Sequence, residues 1–222
     1  KLVLKIKRKA DGSHDKYKAR CVALGFQARP GMDYHGTFAP MGNLTTVRTV
    51  FAIAVNQGLP IWHLDVPQAF IQSAIDTETY IMLPKGISVD PSTLGLEFLN
   101  LPPGLDCRVV KLLRALYGLK QAPQLWNKKL NETLTGEQGF QRATADTCLY
   151  YLEDENGFVI LVAEVDDLIV TGTNQVKIEQ LHRDLVEKWK VSQFEPVNSF
   201  LGIDIQYNIQ SFADVGTKVG EL

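Results

Sequence analysis

Two adjacent carboxylates, Asp166 and Asp167, are the residues whose types and setting first indicate chemistry. They separate two apolar runs rich in β-branched residues, 158–162 and 168–170. Short runs of this kind around a polar pair predict a β-hairpin whose strands are covered on both faces. Two carboxylates at its tip repel each other, and a divalent cation with oxygen ligands, such as Mg²⁺, would relieve that repulsion. An Asp-Asp pair taken alone is more often only a turn.

A third carboxylate, Asp65, ends the strand predicted over 60–66, and Pro67 stops the strand ladder because it has no N–H. An acidic residue at the end of an apolar strand could bind a metal, although a helix cap is the commoner explanation. His63 lies two residues earlier. We interpret it as a structural histidine, since no second His or Cys stands at ligand spacing.

The composition is that of an ordinary soluble globular chain of one or two domains, with 222 residues and 45% hydrophobic content. Its 23 Lys and Arg against 25 Asp and Glu argue mildly against a nucleic-acid binder on net charge alone. Basic residues nevertheless concentrate in 1–20 and in 108–129. The three cysteines form no Cys-x-x-Cys pair, which indicates a reducing compartment and no structural zinc. We expect neither a membrane span nor a signal peptide.

Hydrophobic periodicity and turn residues predict a mixed order of elements. Helices are expected at 44–56, 123–134 and 175–190. Strands are expected at 2–7, 17–25, 60–66, 80–84, 149–153, 158–162, 168–170 and 200–205, with 88–106 as a loop or insertion. The predicted buried side of the first helix consists of Leu44, Val47, Phe51, Ala54 and Val55. That of the last helix consists of Ile178, Leu181, Leu185 and Trp189.

Six short motifs occur in order along the chain. They are Tyr17-Lys-Ala-Arg, Gly36-Thr-Phe-Ala-Pro, Leu64-Asp-Val with Ala69-Phe70, Leu116-Tyr-Gly-Leu-Lys-Gln-Ala-Pro, Val165-Asp-Asp and Phe200-Leu-Gly-Ile. Together they resemble the reverse transcriptase domain of copia-type retrotransposon Pol polyproteins, over about 17–205. Each motif alone is weak, but six in order at compatible spacing are highly specific. The resemblance implies an α+β right-hand polymerase with fingers and palm, an antiparallel palm sheet packed on helices, and a missing thumb.

The same resemblance implies an RNA- and DNA-templated DNA polymerase that uses two Mg²⁺ ions, with Mn²⁺ as a substitute. It assigns the metal site to Asp65, the carbonyl of Val66, Asp166 and Asp167. One ion would lower the pKa of the primer 3′-hydroxyl, and the second would hold the triphosphate and the leaving oxygen. Carboxylates from two separate strands suit this chemistry because they can clamp both ions.

Further positions follow from the family motifs in the same way. The deoxynucleoside triphosphate would contact Lys18, Arg20, Phe70, Tyr117 and Gly118, and template or primer would contact Lys120, Phe200, Leu201 and Gly202. The ring of Phe70 would clash with a ribose 2′-hydroxyl and so select deoxynucleotides. Without the family, Phe70 and Tyr117 would be plain core aromatics, and Lys18 and Arg20 a solvated strand face.

The resemblance divides the chain into a fingers-like segment, 1–60, a mainly palm segment, 61–208, and an irregular tail, 209–222. A basic template-facing segment is expected around 108–129. The implied partners are an RNA or DNA template with its primer, deoxynucleoside triphosphates and other Pol polyprotein domains, namely RNase H and integrase, but no membrane. The implied location is the cytoplasm, in a virus-like particle if the element is active, or the nucleus.

Departures from the family keep a second function class open. Glu164 stands where an aromatic residue usually precedes Val-Asp-Asp, Leu24 stands where Lys is common, and the stretch 214–220 has no recognisable counterpart. By strand alternation Glu164 would point to the same side as Asp166 and compete for the metals or repel the primer phosphate, so Glu164→Tyr is expected to raise activity. The alternative is an inactive retrotransposon remnant that acts at most as a nucleic-acid-binding module.

Overall fold

A computed structural model describes residues 1–8, 11–84, 109–201 and 203–206, and all structural statements below concern these residues. Their elements follow in chain order. They are β1 (Leu2–Arg8), β2 (His14–Cys21), α1 (Leu44–Asn56), β3 (Trp62–Asp65), β4 (Tyr80–Met82), β5 (Val109–Lys111), α2 (Ala122–Glu132), β6 (Gln141–Arg142), β7 (Leu149–Asp154), β8 (Gly157–Glu164), β9 (Asp167–Gly172), α3 (Gln175–Trp189), β10 (Glu195–Pro196), β11 (Ser199–Phe200) and β12 (Ile203–Asp204). The predicted loop at 88–106 and the tail lie outside the described residues.

The chain forms two compact units that interleave along the sequence. The first consists of Lys1–Phe38 and Phe70–Trp126, and the second of Ala39–Ala69 and the chain from Asn127 onward. The division expected from the family motifs instead placed its boundary after residue 60. Among the described residues, every helix is too short or too polar to span a lipid bilayer.

The first unit contains two antiparallel strand pairs, β1 with β2 and β4 with β5. Its small core consists of Ala23, Ala115, Leu119 and Ala122. Phe70, Ile75, Leu112, Leu116 and Leu125 pack against this core. The β1–β2 ribbon itself is mostly exposed.

A six-stranded antiparallel sheet organises the second unit, in the order β10-β3-β9-β8-β7-β6. Residues of α1 cover one face, where Val47, Val50 and Ala54 pack with Val162 and Ile169. Helix α3 contacts β9 and buries Ile178, Leu181, Leu185 and Trp189, the four residues predicted from its periodicity. Coverage of this kind agrees with the near-continuous apolar sequence of β8 and β9.

Most predicted elements are present, with three corrections. Strand β2 begins at His14 and ends at Cys21, so it starts and stops earlier than the predicted 17–25. Helix α1 has the predicted bounds, but Val50 is buried in it while Leu44 and Val55 are exposed. The predicted last strand is instead a small hairpin, in which Ser199 pairs with Asp204 and Phe200 with Ile203.

Candidate active site

Two of the three predicted carboxylates lie on neighbouring strands of the six-stranded sheet. Asp65 ends β3, Asp167 begins β9, and the two residues are directly opposite partners in the antiparallel register. Opposite residues in such a ladder have Cα atoms about 4.5–5.5 Å apart and side chains on the same face. Asp65 is exposed and the side chain of Asp167 is 48% exposed, so both carboxylates are accessible to solvent.

Asp166 lies in the two-residue turn that joins β8 to β9, as the predicted hairpin requires. Val165, the other turn residue, has φ 51°, a left-handed conformation that is strained for a β-branched side chain. The backbone carbonyl of Asp166 accepts a hydrogen bond of 2.7 Å from the N–H of Val66. The turn is therefore fixed to the end of β3, the strand that carries Asp65.

His63 is bonded directly to one of these carboxylates. Its Nε2 lies 2.8 Å from Oδ1 of Asp167, and against a carboxylate the ring nitrogen acts as the donor. This hydrogen bond raises the pKa of His63, partial burial opposes the rise, and the charges of Asp167, Asp65 and Glu195 add to it. Glu195 is the register partner of His63 on β10, so the histidine lies among three carboxylates. The interpretation of His63 as a structural histidine is incomplete, because the residue also contacts one of the candidate site carboxylates.

Glu164 is directed to the chain that precedes α1. Its Oε2 accepts a hydrogen bond of 2.6 Å from the backbone N–H of Gly42. Strand β8 ends at Glu164, so alternation does not extend to Asp166, and the register partner of Glu164 is Asp167. The argument from alternation was wrong for this reason. A Cβ at position 42 would lie 2.9 Å from Oε2 of Glu164, so a larger residue there would require the carboxylate to shift.

Asp146 accepts a hydrogen bond from the backbone of Asn43, the residue that follows Gly42. Its carboxylate accepts hydrogen bonds from the N–H of Asn43 at 3.0 Å and from the N–H of Cys148 at 2.9 Å. Burial raises the pKa of Asp146, but the hydrogen bonds from Thr46, Cys148 and Asn43 together outweigh it, and the pKa is lowered. Asn43 in turn caps α1 by accepting from the N–H of Thr45 at 2.8 Å. Two carboxylates thus fix the entry to α1.

The chemistry of the donor set fits a divalent cation. Asp65 and Asp167 offer oxygen ligands from opposite strands, and hard ions such as Mg²⁺ and Mn²⁺ prefer such ligands. Within the described ranges, no three His, Cys, Asp or Glu side chains form a ready-made metal cluster. The assignment of Asp65, Val66, Asp166 and Asp167 as metal ligands stays a prediction.

Several residues predicted to contact the nucleotide meet in the first unit. The rings of Phe70 and Tyr117 have centroids 4.7 Å apart, and the Arg20 guanidinium lies 5.7 Å from the Tyr117 centroid. Lys18 lies two residues before Arg20 on β2, hence on the same face of the ribbon. These contacts bring Arg20 and two aromatic rings together. Their assignment to the nucleotide stays a prediction.

Gly118 is required by a close backbone approach. It has φ +91°, and a Cβ there would lie 2.3 Å from the carbonyl oxygen of Ala23. The N–H of Ala23 donates to the carbonyl of Tyr117 at 2.8 Å. The segment after β2 and the Tyr117–Gly118 segment are thereby held together, which explains the glycine of the motif.

The predicted template and primer residues have different environments. Lys120 is exposed, and Leu201 is 42% exposed in a left-handed turn at φ 50°. Phe200 is 4% exposed and belongs to the core that packs against α1, so its ring is a packing residue. Gly202 lies outside the described residues.

Comparison with known proteins connects this geometry to a family. Residues 1–214 match the family described as "Reverse transcriptase (RNA-dependent DNA polymerase)". The chain belongs to this reverse transcriptase family. It is 36% identical over 195 residues to the retrovirus-related Pol polyprotein from transposon RE2 of Arabidopsis thaliana, which covers 88% of this chain and 12% of the relative. It is 32% identical over 206 residues to that from transposon TNT 1-94 of Nicotiana tabacum, which covers 92% of this chain and 14% of the relative.

The copia-type resemblance is therefore confirmed, together with a fold of helices and antiparallel sheets. This reverse transcriptase domain spans about one eighth of the length of the curated relatives it matches. Sequence reasoning missed two interactions near its carboxylates, those of His63 with Asp167 and of Glu164 with Gly42.

Proposed function

We propose that this domain is an RNA- and DNA-templated DNA polymerase whose carboxylates Asp65, Asp166 and Asp167 bind two divalent ions. The observation that supports the proposal best is the direct register of Asp65 with Asp167, with Asp166 in the adjoining turn. In this proposal the six-stranded sheet corresponds to the palm, and the β1–β2 ribbon to the fingers. Template, primer, deoxynucleoside triphosphates and other Pol polyprotein domains are the partners, in the cytoplasm or nucleus.

The chain's own residues would each have a defined task. Asp65, the carbonyl of Val66, Asp166 and Asp167 would hold the ions, which lower the pKa of the primer hydroxyl and neutralise the triphosphate. His63 would fix the rotamer of Asp167 through Oδ1 and leave Oδ2 of that carboxylate for a ligand.

The nucleotide would be bound by residues of the first unit. Lys18 and Arg20 would pair with its phosphates, because charged groups on one strand face can grip an anion. Phe70 and Tyr117 would pack against the sugar, where the ring of Phe70 excludes a ribose 2′-hydroxyl. Their ring contact at 4.7 Å keeps both side chains in place.

A primer-extension assay tests the proposal. Wild type and Asp166→Asn are compared on RNA and on DNA templates, with Mg²⁺ and then with Mn²⁺. We expect extension by wild type and a loss of at least about 100-fold in the variant, as for removal of a group that stabilises transition-state charge. Phe70→Ala should retain extension and incorporate ribonucleotides more readily. Absence of wild-type extension under all conditions would favour the inactive remnant.

Thermal unfolding with Mg²⁺ tests metal binding without activity. At 10 mM Mg²⁺ and a Kd of about 1 mM, mass action contributes about 1.4 kcal/mol, or roughly 3–6 °C in Tm. The shift should vanish when Asp166 and Asp167 are both replaced by Asn. An equal shift in that double variant would mean that the ion binds elsewhere.

A further inference from the structure

The connection between α3 and β10, residues 190–194, contacts the backbone of Asp65 on the side of β3 opposite to β9. The N–H of Ser192 donates a hydrogen bond of 3.0 Å to the carbonyl of Asp65. The N–H of Asp65 donates one of 2.9 Å to the side-chain Oγ of Ser192. Both backbone polar groups of Asp65 are therefore bonded to a single residue.

An irregularity in the strand pairing explains why a serine is needed at this position. Glu195 of β10 is the register partner of His63, and a regular ladder would place Gln193 opposite Asp65. The chain instead carries one extra residue here, as in a β-bulge, and Ser192 takes that place. The N–H of Asp65 then bonds to a hydroxyl in place of a backbone carbonyl, so the side chain of Ser192 completes the pairing.

The pairing of β3 with β9 leaves the backbone groups of Asp65 to Ser192. Successive residues of a strand direct their N–H and C=O groups to opposite edges. The N–H of Val66 donates to the carbonyl of Asp166 on the β9 side, so the N–H and C=O of Asp65 face the β10 side. Asp65 and Asp167 thus form a non-hydrogen-bonded pair, whose Cα atoms are about 4.5 Å apart and whose side chains are closest. At this residue the backbone is held by Ser192 and the carboxylate faces its partner on β9.

Ser192 is itself fixed by contacts with α3 and β3. Nε2 of His182 lies 3.0 Å from the carbonyl oxygen of Ser192, and against a carbonyl the ring nitrogen is the donor. The same ring stacks on Phe194, with centroids 4.3 Å apart and an interplanar angle of 28°. Phe194 in turn contacts the ring of Trp62 on β3 at 5.4 Å. The connection is therefore attached to both elements, and Ser192 has a defined place from which to hold Asp65.

We propose that Ser192 is a positioning residue for the candidate metal site, because its hydroxyl fixes the backbone of Asp65 beside Asp167. The inference rests on the proposed function, which assigns both carboxylates to divalent ions. Ser192 acts through Asp65 and not on the ion. Removal of a group that supports a metal ligand lowers metal affinity by about 10–100-fold. Because Ser192 holds the backbone of the ligand and not its carboxylate, we expect about tenfold, the low end of that range.

Binding of Mn²⁺, measured by electron paramagnetic resonance as the loss of the free-ion signal, tests the proposal without requiring polymerase activity. The test variant Ser192→Ala removes the hydroxyl and keeps the backbone N–H, and Ser192→Thr restores a hydroxyl. The matched control is Thr173→Val. It removes a hydroxyl that accepts a hydrogen bond of 3.0 Å from the N–H of Phe158, at the end of β8 away from the carboxylates.

The expected result separates metal affinity from stability. Ser192→Ala should raise the Kd for Mn²⁺ by about tenfold, whereas Ser192→Thr and Thr173→Val should stay within about twofold of wild type. If the Kd for Mg²⁺ rises in the same way from about 1 mM to about 10 mM, the thermal shift at 10 mM Mg²⁺ should fall to about a third. Urea unfolding should show similar losses of stability in Ser192→Ala and Thr173→Val, because each variant loses one hydroxyl that accepts a strand N–H.

Four results would overturn the proposal. In the first, Ser192→Ala binds Mn²⁺ as tightly as wild type. In the second, Ser192→Ala and Thr173→Val lose affinity equally, which would show a general loosening of the sheet. In the third, Ser192→Thr binds as weakly as Ser192→Ala, so that the hydroxyl is not the cause. In the fourth, Ser192→Ala does not fold while Ser192→Thr does, which would make the hydroxyl a requirement of the fold.

The same measurements distinguish this proposal from the polymerase proposal. If wild type binds Mn²⁺ at a site that Asp166→Asn with Asp167→Asn removes, and Ser192→Ala binds equally well, the positioning role fails and the polymerase proposal stands. If Ser192→Ala shows the tenfold loss but wild type extends no primer, the polymerase proposal fails and the positioning role stands. If wild type has no such Mn²⁺ site, both proposals fail.

Amide hydrogen exchange tests the hydrogen bond in the absence of metal. In Ser192→Ala the N–H of Asp65 loses its acceptor, so its exchange should become about fivefold faster than in wild type. The N–H of Phe158 should keep its wild-type rate in this variant and exchange faster only in Thr173→Val. An unchanged rate at Asp65 in Ser192→Ala would show that the hydroxyl does not hold this residue, and would also overturn the proposal.

Discussion

Replacement of Glu164 tests whether this carboxylate is a defect beside the candidate site or a fixed part of the fold. Its Oε2 accepts the hydrogen bond from the N–H of Gly42 at 2.6 Å, and the pair is partly buried. Its register partner is Asp167, so the carboxylate also faces a like charge across the ladder. The hydrogen bond stabilises the fold, and the like charge opposes it.

The two effects have different sizes. A hydrogen bond to a charged group contributes about 1.5–3 kcal/mol, and a like-charge pair across strands costs about 0.2–1 kcal/mol. Glu164→Ala removes both and leaves the Gly42 N–H without its acceptor, so we expect a net loss of about 1–2 kcal/mol. For a chain of this size the Tm should fall by about 2–8 °C. Glu164→Gln keeps an acceptor oxygen and removes the charge, so its stability should stay within about 0.5 kcal/mol of wild type.

Urea and thermal unfolding of wild type, Glu164→Ala and Glu164→Gln measure the difference. The control is Glu153→Ala, which removes an exposed carboxylate from β7 of the same sheet. An alanine variant as stable as wild type would refute the structural role of the hydrogen bond. A glutamine variant as unstable as alanine would show that the charge matters rather than the acceptor.

The same variants bear on activity. The sequence predicts that Glu164→Tyr raises polymerase activity by removing a charge beside Asp166. The hydrogen bond from the Gly42 N–H already holds the Glu164 carboxylate and partly compensates its charge, so we expect Glu164→Gln to change extension less than about threefold. A tenfold or greater gain in Glu164→Gln would restore the electrostatic explanation.

Three further predictions follow from single contacts. Gly118→Ala should lower the free energy of unfolding in urea by about 2 kcal/mol or more, because its φ is +91° and a Cβ would lie 2.3 Å from the Ala23 carbonyl oxygen. The control Gly136→Ala has open space around the new Cβ and should not lower it. Asp146→Asn should lower the free energy of unfolding by about 1 kcal/mol at pH 7. Since the folded pKa of Asp146 is lowered, its stabilising contribution is present above the unfolded pKa of about 3.8 and is lost as pH falls through the folded pKa. The free energies of unfolding of wild type and variant should therefore converge in acid. Burial raises the pKa of the Cys148 thiol to about 12, so peptide mapping after alkylation at pH 8 should find Cys148 modified only once the chain is unfolded.

The sequence was most informative where local pattern determines structure. The two β-branched runs around Asp166 and Asp167 predicted the β8–β9 hairpin, because a polar pair between buried strands has few other solutions. Helix α3 shows its four buried residues at helical spacing. Helix α1 is apolar over more of its circumference, so periodicity did not distinguish Val50, which is buried, from Val55, which is exposed.

Contacts between distant segments could not be predicted in the same way. Gly42 and Glu164 are 122 residues apart, and His63 and Asp167 are 104 residues apart. Their meeting depends on which strands become neighbours in the sheet, and no local propensity encodes that order. The start of β2 was missed because its first residues, from His14, lie on an exposed ribbon and carry no apolar alternation.

The insertion of β3 into the sheet has a consequence for how the chain folds. This strand lies between β10 and β9 and takes its register from partners about 100 residues further along, as Leu64 does from Leu168. During synthesis the backbone N–H and C=O groups of β3 have no strand partner until β9 has been made. The side chain of Leu64, which is fully buried in the folded chain, has no packing partner on β9 until then either. Non-local pairing of this kind slows folding and leaves strand edges open to other chains. The strand that carries Asp65 is therefore among the last to form its backbone pairing, and a chain that ends before β9 has no partner strand for it.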